Sequence, residues 1–240
     1  MSLKFFQKIV FPLLILTVTV LSGNAQSSRG NYNFLDFQQK PYYFGITLGF
    51  NSSNYHLDRS KSFSSNKDIR IVEGVNGPGW NLGIVTNLKI GRYFDLRFLP
   101  TLSFAERKIS YTSTSREQNL PYSRSIQSVF IETPFLVRFK SEPYHDMRMF
   151  VIGGVKYVYD VASDSRSRQA DELVKVAPAD IQVELGAGIQ FFMPFFIFSP
   201  ELKFSHGLGN ILLYDDNLQE ASVLEKLISR GFTLSLHFEG

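Results

Sequence analysis

The chain has 240 residues, no cysteine, a formal net charge of +3 and 20% charged residues. Without cysteine there is no disulfide framework and no acylated N-terminal cysteine, so stability has to come from one sizeable packed or lipid-embedded unit. Phe (23) and Tyr (11) far outnumber the single Trp, and that aromatic load needs an apolar or interfacial setting.

At the start, Lys4 and Lys8 precede an apolar run over 9–21 and the small-residue stretch "SGNAQ". This pattern predicts a secretory signal peptide over 1–25, cleaved after Ala25; the run is short for a membrane-spanning helix of about 20 residues. Removing 1–25 takes away Lys4 and Lys8 and no acid, which lowers the charge from +3 to +1. A nucleic-acid partner is therefore not expected.

From residue 42 the chain alternates with a period of two, the signature of strands with one apolar face. Tyr42, Phe44, Ile46, Leu48 and Phe50 alternate with Tyr43, Gly45, Thr47, Gly49 and Asn51. Trp80, Leu82, Ile84, Leu88 and Ile90 form the apolar face of a second strand, opposite Asn81, Gly83, Val85, Asn87 and Lys89. After "GRYF", a third strand sets Leu96, Phe98, Pro100, Leu102 and Phe104 against Arg97, Thr101, Ser103 and Arg107. A fourth sets Val129, Ile131, Phe135, Val137 and Phe139 against Ser128, Glu132, Arg138 and Lys140. A fifth, after "SEPYHD", sets Met149, Val151, Val155, Tyr157 and Tyr159 against Arg148, Gly154, Lys156 and Asp160. "DIQVELGAGIQFF" and "FIFSPELKF" read as a sixth and seventh strand joined at "MPF", with Glu184, Glu201 and Lys203 on their polar faces. "RGFTLSLHFEG" is the eighth. Pro200 lies inside a strand, where the missing N–H calls for a bulge or a lapse in pairing. The prolines of "PTLSF", "PFLVRF" and "PELKF", Pro100, Pro134 and Pro200, repeat in form, and a bulge at two of the three, near a membrane surface, would help the wall curve.

The connections alternate between long (52–78, 109–125, 161–179, 208–229) and short (91–94, 141–146, 193–195). Eight amphipathic strands with this asymmetry predict an all-β fold, an eight-stranded antiparallel transmembrane β-barrel of the outer-membrane type with long external loops and short periplasmic turns. The chain then divides into the signal peptide, a periplasmic N-terminal lead over 26–41, and a barrel over 42–240. It is expected in the bacterial outer membrane, multi-pass, in contact with outer-membrane lipids.

A barrel of eight strands is filled by side chains. Its inward charges, Arg97, Arg138, Lys156 and Lys203 against Glu132, Glu184 and Glu201, are expected to form a paired network acting as a structural plug, with a proton or ion path as the alternative. None of the four histidines has a His or Cys at a metal-ligand spacing, so no metal is expected, nor any cofactor or small-molecule substrate. Ser205 and His206 are adjacent on a strand and point to opposite faces, so they cannot act as nucleophile and base. No enzymatic activity is expected. Residues 59–70 and 165–175 read as polar loop. Residues 217–228 predict a loop helix, with a capping box from Asn217 to Glu220 and an apolar face that includes Leu224 and Leu227, which either caps the barrel or docks a partner.

The stretch "NYNFLDFQQKPYYFGITLGFN" over 31–51, a short Leu/Phe-Asp lead before an aromatic-Phe-Gly strand, resembles the start of the PorT family, as does the strand layout. The resemblance implies an accessory or structural role in the type IX protein secretion system, with other secretion proteins as partners. Candidate contacts are Phe34, Leu35, Asp36 and Phe37 in the lead, and Leu224 and Leu227 in the loop helix. The alternatives are a plain barrel for adhesion or membrane integrity and an outer-leaflet lipid-modifying enzyme.

Overall fold

The structure is a computed structural model that describes residues 32–59, 69–113, 121–161, 176–213 and 224–240. The predicted signal peptide, residues 26–31 of the lead and most of the two polar loops lie outside the described residues. A short helix, α1 (Tyr32–Gln38), precedes ten strand segments. These are β1 (Tyr42–Arg59), β2 (Ile69–Val75), β3 (Gly77–Ile90), β4 (Phe94–Phe98), β5 (Thr101–Ser113), β6 (Pro121–Lys140), β7 (Met147–Asp160), β8 (Ala179–Phe192), β9 (Ile197–Gly207) and β10 (Leu224–Glu239).

All pairings are antiparallel, and β1 pairs with β10 on one side and β3 on the other, which closes the sheet into a ring. Two of the staves are interrupted. β4 and β5 keep one register against β3, from Thr86↔Phe98 to Gly83↔Thr101, and the ladder lapses only at Leu99 and Pro100, where proline has no N–H to give. β2 continues β3 beyond Asn76 with its register against β5 shifted by one residue, as a bulge produces. Joined in this way, the ten segments make a ring of 8 strands. Pro200 acts like Pro100: the β8–β9 ladder is silent between Gly188↔Glu201 and Phe191↔Phe198 without a change of register. Pro134 sits within an unbroken ladder to β7.

The pleat separates two solvents. Along β1, Tyr42, Phe44, Ile46, Leu48 and Phe50 are 44% to 65% exposed, whereas Tyr43, Thr47 and Asn51 between them are at most 9% exposed. Nine residues at roughly 3.3 Å per residue, tilted by about 40°, cover an apolar height of about 20 Å, close to that of outer-membrane barrels. Aromatic pairs border this band at both edges. Phe94 and Phe139 (5.2 Å between ring centroids) and Phe198 and Phe238 (5.3 Å) lie toward the short turns. Trp80 and Phe104 (4.3 Å, stacked) and Phe204 and Phe232 (4.9 Å) lie toward the opposite end. Such rings favour the membrane–water interface.

The strands outrun their sequence-based bounds on the external side. β1 reaches Arg59, β2 begins at Ile69, β5 ends at Ser113 and β6 begins at Pro121. The connection expected over 52–78 is thus largely sheet, because polar strands projecting beyond the bilayer still satisfy their backbone groups by pairing. The loop helix is corrected for the same reason. Leu224, Leu227 and Ile228 belong to β10, where Leu57↔Leu227 and His56↔Ile228 pair with the extension of β1; residues 217–223 lie outside the described residues. A helical apolar face over five residues cannot compete with a ladder already offered by a neighbouring strand.

The turn at 141–146 closes tightly. Tyr144 and Met147 exchange backbone hydrogen bonds (2.7 and 2.9 Å), and His145 and Asp146 between them have φ of 47° and 53°. Two consecutive left-handed residues make this a type I′ hairpin, the hand that suits the twist of the flanking strands.

Because the chain has no cysteine, single cysteines give a clean test of orientation. Glu73→Cys, on the extension beyond the apolar band, is expected to react with a membrane-impermeant maleimide on intact cells, and Tyr144→Cys only after the outer membrane is permeabilised. The reverse labelling pattern would invert the barrel.

Candidate functional site

The lumen is dominated by charge. Arg97 binds Glu201 (2.7 Å) and Glu239, and Arg138 binds Asp95 and reaches Glu239 at 3.7 Å. Lys140 also pairs with Asp95. Lys203 bridges Glu201 (3.9 Å) and Glu184 (3.7 Å), and Lys156 bridges Glu184 (3.6 Å) and Glu132 (3.1 Å). His237 lies 3.3 Å from Glu201. These contacts link Lys140, Asp95, Arg138, Glu239, Arg97, Glu201, Lys203, Glu184, Lys156 and Glu132 into one chain of alternating sign.

The seven charges expected from the sequence, Arg97, Glu132, Arg138, Lys156, Glu184, Glu201 and Lys203, all lie on it. Asp95, Lys140, Glu239 and His237 complete it. They share inward parity with Arg97, Arg138 and Ser235, so alternation contains the signal, but Asp95 and Glu239 stand at strand ends, where too few alternating neighbours remain to set a facing. Apart from the half-buried Glu132 at its end, side chains in this chain are almost wholly removed from water, Arg97 and Arg138 completely so. An ion buried in this way persists only when its counter-ion is held in place.

Apolar groups complete the filling. Val85, Leu99, Leu136, Phe150 and Ile152 form an inward cluster alongside the ion pairs, and the guanidinium carbons of Arg97 and Arg138 lie 5.8 and 5.2 Å from the Phe150 ring centroid. Gly188 makes room for that ring: a Cβ there would come within 2.5 Å of Phe150 Cζ. Toward the external end, Arg107 packs on Tyr55 and Phe130 (5.0 and 4.5 Å) and donates to the Tyr55 hydroxyl (3.4 Å).

The short-turn end is closed by α1. Phe34 and Phe37 pack with Tyr43, Phe192 and Ile197, with Phe34 edge-on to Phe192 at 5.0 Å. Each helix end meets a charge of the sign its dipole favours. Asp146, aimed by the type I′ turn, accepts from the Phe34 N–H (3.1 Å) and faces the Asn33 amide, while Lys89 Nζ donates to the Phe37 carbonyl and lies 3.5 Å from that of Gln38. Of the lead residues expected to contact a partner, Phe34 and Phe37 are thus committed to the barrel's own mouth, only 7% exposed each, whereas Leu35 is 55% exposed. Asp36 lies on α1. Leu227, expected on a loop helix that either caps the barrel or docks a partner, lies on β10 and is fully buried.

At the rim of the same end, Arg92 pairs with Glu142 (2.9 Å), whose carboxyl is held below its usual range by a hydrogen bond from Tyr93 and by Arg92. Ser205 faces the lumen and donates to the Gly231 carbonyl (3.4 Å), while His206 accepts from Arg230 Nε (3.3 Å) on the opposite face of β9.

A closed antiparallel ring, apolar outside and ionic inside, defines a transmembrane barrel of the bacterial outer membrane. Residues 24–213 match the model of the outer membrane protein beta-barrel domain, and the chain belongs to that family. Among solved structures it is similar to OprG from Pseudomonas aeruginosa, at 9% identity over 83% of this chain and 95% of that one (TM-score 0.45). It is also similar to Neisserial surface protein A, at 8% identity over 81% and 96% (TM-score 0.40). The attachment invasion locus protein Ail of Yersinia pestis, solved with the heparin analogue sucrose octasulfate, aligns at 11% identity over 84% and 100% (TM-score 0.37). No curated protein sequence matches the chain.

Asp95→Leu leaves Lys140 without its carboxylate and weakens the hold on Arg138. It is expected to destabilise the folded barrel by about 3 to 5 kcal/mol, measured as a shift of the urea midpoint in micelles. Ile189→Val on the lipid-facing wall is expected to cost about 1 kcal/mol or less. Equal shifts for the two would show that the inward and outward faces are misassigned.

Proposed function

We propose that this protein is a non-enzymatic accessory of protein secretion, a PorT-like outer-membrane component of the type IX system that works through contacts with other secretion proteins. The observation that carries the reading is the filled and plugged lumen. With the interior occupied by ion pairs and the periplasmic mouth covered by α1, neither a folded client nor an extended chain has a path through the ring. The surfaces at its ends remain available for work.

The periplasmic end offers apolar groups that the barrel does not use, among them Leu35 on α1 and Phe195, which is 90% exposed in the turn between β8 and β9. The aromatic lead motif supports the same reading, since the residues beside the exposed Leu35 fix α1 to the mouth.

Deleting the gene is expected to leave precursors of exported proteins in the periplasm. Complementation with a Leu35→Asp, Phe195→Asp double variant is expected to restore a heat-modifiable barrel at normal level without restoring secretion. Normal export in the deletion strain would remove the secretion role and leave adhesion or membrane integrity as the barrel's task. Normal export with the double variant would shift the contact to the external end.

A further inference from the structure

Under α1, at the periplasmic mouth, the structure holds a cavity of about 370 Å³ whose wall includes Arg148, Lys89, Phe34, Phe37, Phe192 and Gln190. We propose that this cavity is a binding site for a carboxylate carried on an apolar or aromatic body.

Arg148 carries the argument. It is only 7% exposed, and among the described residues it makes no ion pair and its Nε has no hydrogen-bond acceptor. A buried guanidinium in that condition is costly unless an anion meets it. The acids around it are already engaged: Asp95 by Arg138 and Lys140, Glu142 by Arg92, and Asp146 by the N-terminus of α1. Lys89, on the same wall, is bound to helix carbonyls and not to an acid. Among the described residues the cavity wall therefore carries cations and no carboxylate.

The shape of the site selects the anion. The guanidinium carbon of Arg148 lies 4.7 Å from the Phe34 ring centroid, so one face of its plane is covered and its N–H edge remains to donate. A planar carboxylate matches that edge in bidentate fashion. Phe34, Phe37 and Phe192 offer an apolar wall that bare phosphate or sulfate cannot use, and the volume suits one or two residues of a polypeptide or a small carboxylic acid. A free acid and the C-terminal residue of a peptide present the same chemistry, and the site recognises what they share.

The test uses the full chain refolded in micelles. Isothermal titration with 3-phenylpropionate is expected to show binding about tenfold or more tighter than with 3-phenylpropionamide, and inorganic phosphate is expected to compete at least about tenfold more weakly than the acid. Arg148→Gln is expected to lower affinity for the acid to that for the amide. A peptide ending in Phe with a free carboxylate, set against the same peptide amidated, identifies the source: tighter binding than the small acid points to a polypeptide C-terminus, and equal binding to a free carboxylic acid. Equal affinity for acid and amide in the unmodified protein, a measurement that needs no variant to fold, would overturn the proposal. So would phosphate binding as tightly as the acid, or unchanged acid binding by a heat-modifiable Arg148→Gln barrel.

Discussion

The structure depends on the pairing of opposite charges in a space that water scarcely reaches. Closing eight strands removes every sheet edge and satisfies the backbone, but it also gives each strand an inner face too narrow for solvent. Apolar side chains alone would fill that space as well, and in places they do, around Val85, Leu99 and Leu136. What distinguishes this lumen is a chain of cations and anions from Lys140 to Glu132 in which nearly every member serves two neighbours. Such a chain fixes register: shifting one strand by a single residue would turn its charges into lipid and strand their partners. The apolar outer wall tolerates exchange of one aliphatic group for another, and the inner network does not.

The plug follows from the same constraint. The network ends at the periplasmic mouth in Asp95, Arg138 and Lys140, and Arg138 donates to the Tyr43 hydroxyl. Phe34 and Phe37 cover that end with apolar surface. Asp146 and Lys89 hold the two ends of a helix too short to persist unaided. Strand, turn and helix are thereby tied together: the left-handed pair His145–Asp146 shapes the hairpin and also points a carboxylate at α1.

Much of this was legible in the sequence. Period-two alternation located all eight staves and the inward position of Arg97, Glu132, Arg138, Lys156, Glu184, Glu201 and Lys203, because a strand with different solvents on its two faces writes that difference into every second residue. Pro200 was legible as an interruption, since a missing N–H is a local fact, whereas Pro134, of the same form, leaves its ladder to β7 unbroken. The plug was not. Phe34 and Phe37 read as apolar anchors seeking a surface, and nothing in seven residues says that the surface is the mouth of the same barrel, supplied by Phe192 and Ile197 more than 150 residues later. The reading of 224–228 as part of a helix has a similar origin: the apolar spacing suits a helix, but the extension of β1 to Arg59, which makes these residues a strand through pairing, lies in another part of the chain. Which partner meets Leu35 is chemistry held by another molecule.

The central claim is that the barrel is closed along its axis. The most direct measurement is the ionic conductance of the purified, refolded protein in a planar lipid bilayer. The account predicts current at the level of the bare membrane, with no stepwise openings. Regular ohmic steps of the size produced by a water-filled porin would contradict it.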